Sequence, residues 1–182
     1  MRVITGLARG RKLRTLDGNN VRPTTDMVKE SMFSIIQFDI EGRSVLDLFS
    51  GCGQLGIEAV SRGAREAVFV DKSKQSAAVT LENIKSVGFE DKCKVYNKDY
   101  AAFLSGCGQK FDIVFLDPPY DSDYYEKSLC LLKQNDLLNQ NAVIVVESSK
   151  DVVPNIPSYY EITRQKFYGT VCVSLLEAKW KK

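Results

Sequence analysis

The stretch SVLDLFSGCGQLGIEAVSRG, residues 44–63, decides the fold. SVLDLF (44–49) is β-prone and apolar apart from Ser44 and Asp47, and QLGIEAVSR (54–62) has helical patterning closed by Gly63. Between them lie Gly51 and Gly53, followed by Gly56 inside the helix. A strand that turns through glycines straight into a helix is the first half of a βαβ unit.

The same alternation continues outward. EAVFVD (66–71) leads into a helix with Ala77, Leu81 and Ile84 at i, i+4 and i+7, closed by Gly88. KCKVYN (92–97), a short helix near 100–105, FDIVFLD (111–117), a helix over 123–133 and AVIVVES (142–148) follow. Near-continuous apolar strands between helices predict a parallel sheet covered on both faces. YYEITRQKFYG (159–169) and TVCVSLLEAKW (170–180) instead predict an antiparallel hairpin turning at Gly169-Thr170. Upstream, residues 1–16 read as irregular β structure. Residues 24–38 read as an amphipathic helix, with Val28, Met32, Ile35 and Ile36 on one face and Thr24 or Thr25 as N-cap. The expectation is one Rossmann-like α/β domain over 1–182, with a basic extension at 1–22 and a core at 23–182.

Composition narrows the function. A 44% hydrophobic and 26% charged chain of 182 residues is ordinary for a soluble globular domain. No apolar run approaches the roughly 20 residues of a membrane span, and the N-terminus has no apolar signal core, so a cytoplasmic protein is expected. The five cysteines form no CxxC pair and read as reduced thiols. With no histidine, a Ser-His-Asp triad, a Cys-His pair and any His-containing zinc site are excluded. The net charge of +2 is uneven: residues 1–22 carry +5, residues 164–182 carry +4 and the middle carries −7. Basic ends on an acidic body predict an anionic partner such as nucleic acid, with Arg9, Arg11 and Lys12 in the N-terminal grip.

The glycine loop and its acids point to a nucleoside-type ligand. Gly51, Gly53 and Gly56 fit GxGxxG, and Asp71 ends the second strand twenty residues past Gly51, placed to accept from ribose hydroxyls. This spacing alone suits NAD, FAD and S-adenosylmethionine equally. Asp47, inside the strand ahead of the loop, tilts the choice: it would oppose an anionic pyrophosphate but suits the ammonium of S-adenosylmethionine. Asp99, after the third strand, is placed to accept from an adenine amine while the Tyr100 N–H donates to the ring; it equally suits a helix N-cap.

The fourth strand runs into VFLDPPYDSD (114–123). Pro118 and Pro119 cannot donate to a sheet ladder, so the strand stops there, at the carboxyl edge where doubly wound sheets bind ligands. Acceptors such as the Asp117 carboxylate and the Pro118 carbonyl would favour a pyramidal amine with its lone pair directed at a methyl. Tyr120 offers a face on which a flipped-out base stacks. Methyl transfer is then a displacement governed by positioning, which suits a chain without histidine.

Glycine loop, strand-two acid and DPPY together resemble the class I S-adenosylmethionine-dependent amino methyltransferases. RVITGLARGRKL, RPTTDMVKESMF, LDLFSGCGQLGIEAVSRGA and FLDPPY more closely resemble the bacterial 16S ribosomal RNA guanine-N2 methyltransferase family, over nearly the whole chain. The resemblance implies a Rossmann-like methyltransferase fold. It implies methylation of a guanine exocyclic amine in 16S rRNA, free or within a small ribosomal subunit or assembly intermediate, without membrane or metal. It places Asp47, Ser50, Gly51 and Gly53 at the methionine end of the cofactor, Asp71 at the ribose and Asp99 at the adenine. Asp117, Pro118, Pro119 and Tyr120 would hold the target amine, and Arg22 and Thr24 would lie over the cofactor. Thr5-Gly6 stands where the family commonly has Gly-Gly, and Cys52 and Gln54 occupy loop positions usually small.

Other readings remain in play. Adenine N6 and glutamine amide transfer use related strand-end motifs, although the glutamine version favours Asn where Asp117 stands. Pyrimidine C5 transfer needs a cysteine beside the site, and only Cys107 and Cys130 approach its margins in sequence. A non-catalytic, nucleotide-dependent RNA-binding module would leave Asp117 without a role.

Overall fold

The computed structural model describes residues 1–16, 26–119, 123–152 and 154–179. Seven strands form one sheet in the order β3-β2-β1-β4-β5-β7-β6. The parallel part comprises β1 (Ser44–Asp47), β2 (Glu66–Asp71), β3 (Cys93–Asn97), β4 (Phe111–Leu116) and β5 (Leu138–Ser149). β6 (Tyr160–Tyr168) and β7 (Val171–Ala178) add antiparallel to β5, joined at Gly169-Thr170 as expected. Chain order reverses between β1 and β4, which opens the ligand crevice of a doubly wound sheet at their carboxyl ends.

Period-two alternation assigns each strand's side chains to two cores. Val45, Phe69, Ile113, Phe115 and Val145 pack under α1 (Asp26–Ile35), α2 (Gln54–Ser61) and Ile84 of α3 (Lys74–Val87). Leu46, Val68, Val114, Leu116 and Val146 pack under α4 (Tyr100–Gly106) and α5 (Tyr124–Gln134). Burial on both faces explains why the parallel strands read as apolar runs rather than alternating ones. Among the described residues no helix is long and apolar enough to cross a membrane.

Three local expectations are corrected. α1 ends at Ile35 rather than 38, because the chain turns where the Asp39 N–H donates to the Ile36 carbonyl, leaving Phe38 exposed. β5 begins at Leu138 rather than 142 and carries a register shift between its pairings with Phe111 and Ile113; there Asn141, at φ 62°, takes the left-handed conformation that asparagine tolerates. In α3, Leu81 is exposed, and Thr80 and Asn83 are buried beside Ala77 and Ile84. The buried face is rotated because Asn83 serves two loops, accepting from the Arg14 N–H and donating to the Arg14 and Cys52 carbonyls.

Residues 1–16 make little regular structure, with one antiparallel bridge between Arg2 and Lys12, yet they are docked firmly on α2. Val3, Ala8 and Leu13 join the first core. Glu58 of α2, fully buried, accepts from the backbone N–H groups of Ile4 (2.7 Å) and Thr5 (3.0 Å) and from Arg62 Nε (2.8 Å). Lys29 of α1, also fully buried, stands 3.6 Å from Glu58 and donates to the Arg2 carbonyl. Burial lowers the Lys29 pKa, opposed by the charges of Glu58 and Asp26. Gly6 has φ +86° and lies so close to α2 that a Cβ there would fall 1.8 Å from the Ser61 carbonyl oxygen. Glycine is required at that approach.

Candidate active site

The carboxyl edge of the sheet holds a cavity of about 550 Å³, inside the range of small-molecule and cofactor sites. Across the sheet its acids come in the order of the strands: Asp99 after β3, Asp71 ending β2, Asp47 ending β1 and Asp117 after β4. Ser50, Gly51, Tyr100, Pro118 and Pro119 also line it. The glycine loop and the strand end at 117–119, separate in sequence, therefore border one cavity. Gly53, expected at the cofactor, is the left-handed N-cap of α2 and does not itself line the cavity.

Three of the four acids, Asp71, Asp99 and Asp47, are held by backbone donors. Asp71 accepts from the Gly51 N–H (2.9 Å) through Oδ2 and from the Ser73 N–H (2.8 Å) through Oδ1, which ties the glycine loop to the end of β2. Asp99 caps α4, Oδ1 accepting from Ala101 (2.9 Å) and Ala102 (3.3 Å), while it also faces the cavity. The capping reading of Asp99 and its place at the cavity wall are thus compatible.

Asp47 is buried and its Oδ2 accepts from the Gly56 N–H at 3.0 Å. Gly56 lies in the first turn of α2, where free N–H groups would otherwise attract a phosphate. A carboxylate already occupies that donor, so the loop is poorly suited to a pyrophosphate and well suited to a cationic ligand. Burial, with a smaller contribution from the Asp71 charge, raises the Asp47 pKa to about 7 against the opposing Gly56 hydrogen bond. Gly56 itself packs on β2, where an added Cβ would meet the Phe69 ring at 2.3 Å.

Asp117 is half-buried and opens onto the cavity. Its pKa is raised by burial first, then by the charges of Glu147 and Asp47. Leu116 and Val146 are paired in the β4–β5 register, so Asp117 and Glu147 are the next residues along two adjacent strands. Glu147 is buried, and its backbone carbonyl accepts from the Tyr125 hydroxyl at 2.9 Å. Two neighbouring carboxyls, one buried and one half-buried, resist joint ionisation.

Several cavity residues escaped the sequence reading. Phe49 and Tyr124 join Tyr100, which the sequence did single out for its N–H, in an aromatic group on the wall with ring centroids 5.2–5.8 Å apart, and Lys72 stands 5.8 Å from the Tyr124 ring. Lys72 and Lys98 also line the cavity. Nothing in local sequence marks Tyr124 as a partner of Phe49. Glu147 did leave a signal: a charge interrupting the apolar run AVIVVES.

Cys52 is buried with its thiol 3.8 Å from the Met1 sulfur, and burial raises its pKa, which fits a packing residue in the turn. Arg9, Arg11 and Lys12 are exposed on the docked N-terminal segment, and the Arg11 guanidinium donates to the Ser86 carbonyl. Arg22, Thr24 and Tyr120 lie outside the described residues.

The residues present fit S-adenosylmethionine: a cavity of suitable volume, a buried carboxylate at the helix start, and two buried side-chain oxygens on the wall, Ser50 Oγ and Gln54 Oε1, without a hydrogen-bond partner among the described residues.

Comparison with known proteins agrees with this geometry. A family model described as Conserved hypothetical protein 95 matches residues 1–177. The chain is 36% identical to ribosomal RNA small subunit methyltransferase D of Haemophilus influenzae, covering 97% of this chain and 93% of that one. It is 34% identical to the Escherichia coli protein of the same name, covering 97% and 89%. Among solved structures, yhhF of Escherichia coli superposes with a TM-score of 0.88 at 34% identity, covering 98% of both chains. HI0767 of Haemophilus influenzae gives 0.81 at 35% identity, covering 96% of both. The chain belongs to the family described as Conserved hypothetical protein 95, the one whose bacterial small-subunit ribosomal RNA methyltransferases its motifs resemble.

Proposed function

We propose that this protein transfers a methyl group from S-adenosylmethionine to the exocyclic N2 amine of a guanine in 16S ribosomal RNA. The observation that carries the reading is the meeting of the glycine loop and the Asp117-Pro118-Pro119 strand end at one cavity. When bound, S-adenosylmethionine supplies a methyl activated by a sulfonium. Asp47, Ser50 and Gly51 border its amino-acid end, with Gly53 shaping the turn behind them; Asp71 takes the ribose, and Asp99 with the Tyr100 N–H takes the adenine. Arg22 and Thr24 contribute from over the cofactor.

The chain's own part is positioning. Asp117 and the Pro118 carbonyl accept the two N–H bonds of the guanine amine, so that its lone pair is directed at the methyl. Pro118 and Pro119 bring no N–H to compete, and Tyr120 stacks on the base. The methylated amine sheds one proton, and Asp117, its pKa raised by burial and by Glu147, is a suitable acceptor. Arg9, Arg11 and Lys12 contact RNA phosphates.

The relatives named for small-subunit rRNA support the choice of 16S rRNA. The proposal takes that RNA in the cytoplasm, as free RNA, assembly intermediate or subunit. Nucleoside analysis of 16S rRNA from cells lacking the gene tests this. One N2-methylguanosine should disappear and return on complementation; an unchanged nucleoside profile refutes the assignment.

A further inference from the structure

Among the described residues, four buried side-chain polar atoms lack a hydrogen-bond partner: Ser50 Oγ, Gln54 Oε1, Ser128 Oγ and Ser148 Oγ. Ser50 and Gln54 line the cavity; the two other serines do not. Buried polar groups are nearly always paired, so two orphans on one cavity wall mark a place where a ligand completes the bonding. Gln54 is 8% exposed and Ser50 is 5% exposed, so bulk water does not readily serve either.

Position identifies the ligand's chemistry. Gln54 is the first residue of α2 and shares its wall with Asp47, Ser50 and Leu55, over the end of β1. Asp71 and Asp99 lie further along the edge, over β2 and β3. An elongated ligand with its nucleoside over β2 and β3 brings its other end to Gln54. A glutamine amide offers an acceptor oxygen at one end and two N–H donors at the other, and which end faces the cavity is settled by the partner. The oxygen matches an ammonium; the turned amide matches a carboxylate. An α-amino acid group carries both, and the neighbouring Asp47 carboxylate and Ser50 hydroxyl reinforce the ammonium side.

We propose that Gln54, with Ser50, receives the charged amino-acid end of the cofactor, and that this chain thereby selects S-adenosyl compounds bearing that end over nucleoside thioethers lacking it. The proposal rests on the S-adenosylmethionine reading above and adds a binding residue where sequence comparison suggests only a small loop side chain. Gln54 is a binding residue and takes no part in the chemistry at the amine.

Isothermal titration calorimetry with two probes, S-adenosylhomocysteine and 5′-methylthioadenosine, tests it on wild type, Gln54→Ala and Gln54→Met. Loss of a hydrogen bond to a charged group should weaken S-adenosylhomocysteine about tenfold or more in both variants. Methylthioadenosine affinity should stay within about twofold, because it has no group for Gln54 to meet. Gln54→Met preserves side-chain bulk, so an effect seen only in Gln54→Ala, or equal weakening of both probes, would overturn the assignment by indicating packing. Wild-type protein that binds methylthioadenosine as tightly as S-adenosylhomocysteine would overturn it while leaving the nucleoside site standing. Failure of wild type to bind either probe would instead remove the S-adenosylmethionine reading itself.

Discussion

Glu58→Ala tests how the N-terminal segment is held. The Glu58 carboxylate accepts two backbone N–H groups from the segment, at 2.7 and 3.0 Å, and faces the ammonium of Lys29 at 3.6 Å with both side chains fully buried. Removing it strands a buried charge, a change that costs about 3–5 kcal/mol when one partner of a buried pair is lost. Each orphaned N–H adds about 1–3 kcal/mol if it stays buried. Release of the segment into water would relieve the N–H groups but expose Val3, Ala8 and Leu13, now part of the first core. The expected net loss in urea unfolding is therefore about 3–5 kcal/mol, with residues 1–16 becoming sensitive to protease. Glu58→Gln keeps an acceptor but leaves Lys29 without its counter-charge. Burial already lowers the Lys29 pKa, and loss of Glu58 lowers it further, so the unfolded chain binds more protons than the folded one. Stability of Glu58→Gln should accordingly rise with pH on approach to the lysine reference near 10.4, more steeply than in wild type. A loss below about 1 kcal/mol in Glu58→Ala, the range of exposed ion pairs, with the segment still protected, would refute the reasoning.

Three further outcomes follow from the site. Asp117→Ala should abolish methyl transfer with cofactor affinity near wild type in calorimetry; equal loss of both would contradict its place at the amine. Because Asp117 must be ionised to take the proton shed by the methylated amine, activity should rise with pH through its elevated pKa, and Glu147→Gln, by removing the neighbouring charge, should move that rise to lower pH in a rate–pH profile. An unmoved profile would exclude the coupling. Charge reversal at Arg9, Arg11 and Lys12 should weaken RNA binding and flatten its salt dependence, by about 0.9 in logarithmic slope for each duplex phosphate that is no longer neutralised. Unchanged affinity and slope would remove these residues from the RNA interface.

Most of the sheet was legible because its parallel strands are buried on both faces and stand out as apolar runs between helices. The hairpin was legible from Gly169-Thr170 between two β-rich segments. The glycine loop and DPPY were legible because both sit at strand ends, where backbone demands show directly in residue type. The docking of residues 1–16 was not legible. It depends on Glu58 and Lys29, which in sequence look like ordinary solvated helix charges and are buried where α1, α2 and the segment meet. Leu81 misled for a related reason: apolar spacing placed it inward, whereas α3 turns Asn83 inward to serve the loops at Arg14 and Cys52. The aromatic group Phe49–Tyr100–Tyr124 joins three segments far apart in the chain, and no local pattern encodes such a meeting.

The central claim, methyl transfer to a guanine amine in small-subunit RNA, is tested most directly by one reaction. Purified protein is incubated with methyl-labelled S-adenosylmethionine and small ribosomal subunits from cells lacking the gene, and the rRNA is digested to nucleosides. The account predicts label in N2-methylguanosine. Label in N6-methyladenosine, or no label in subunits or in their deproteinised RNA, would contradict it.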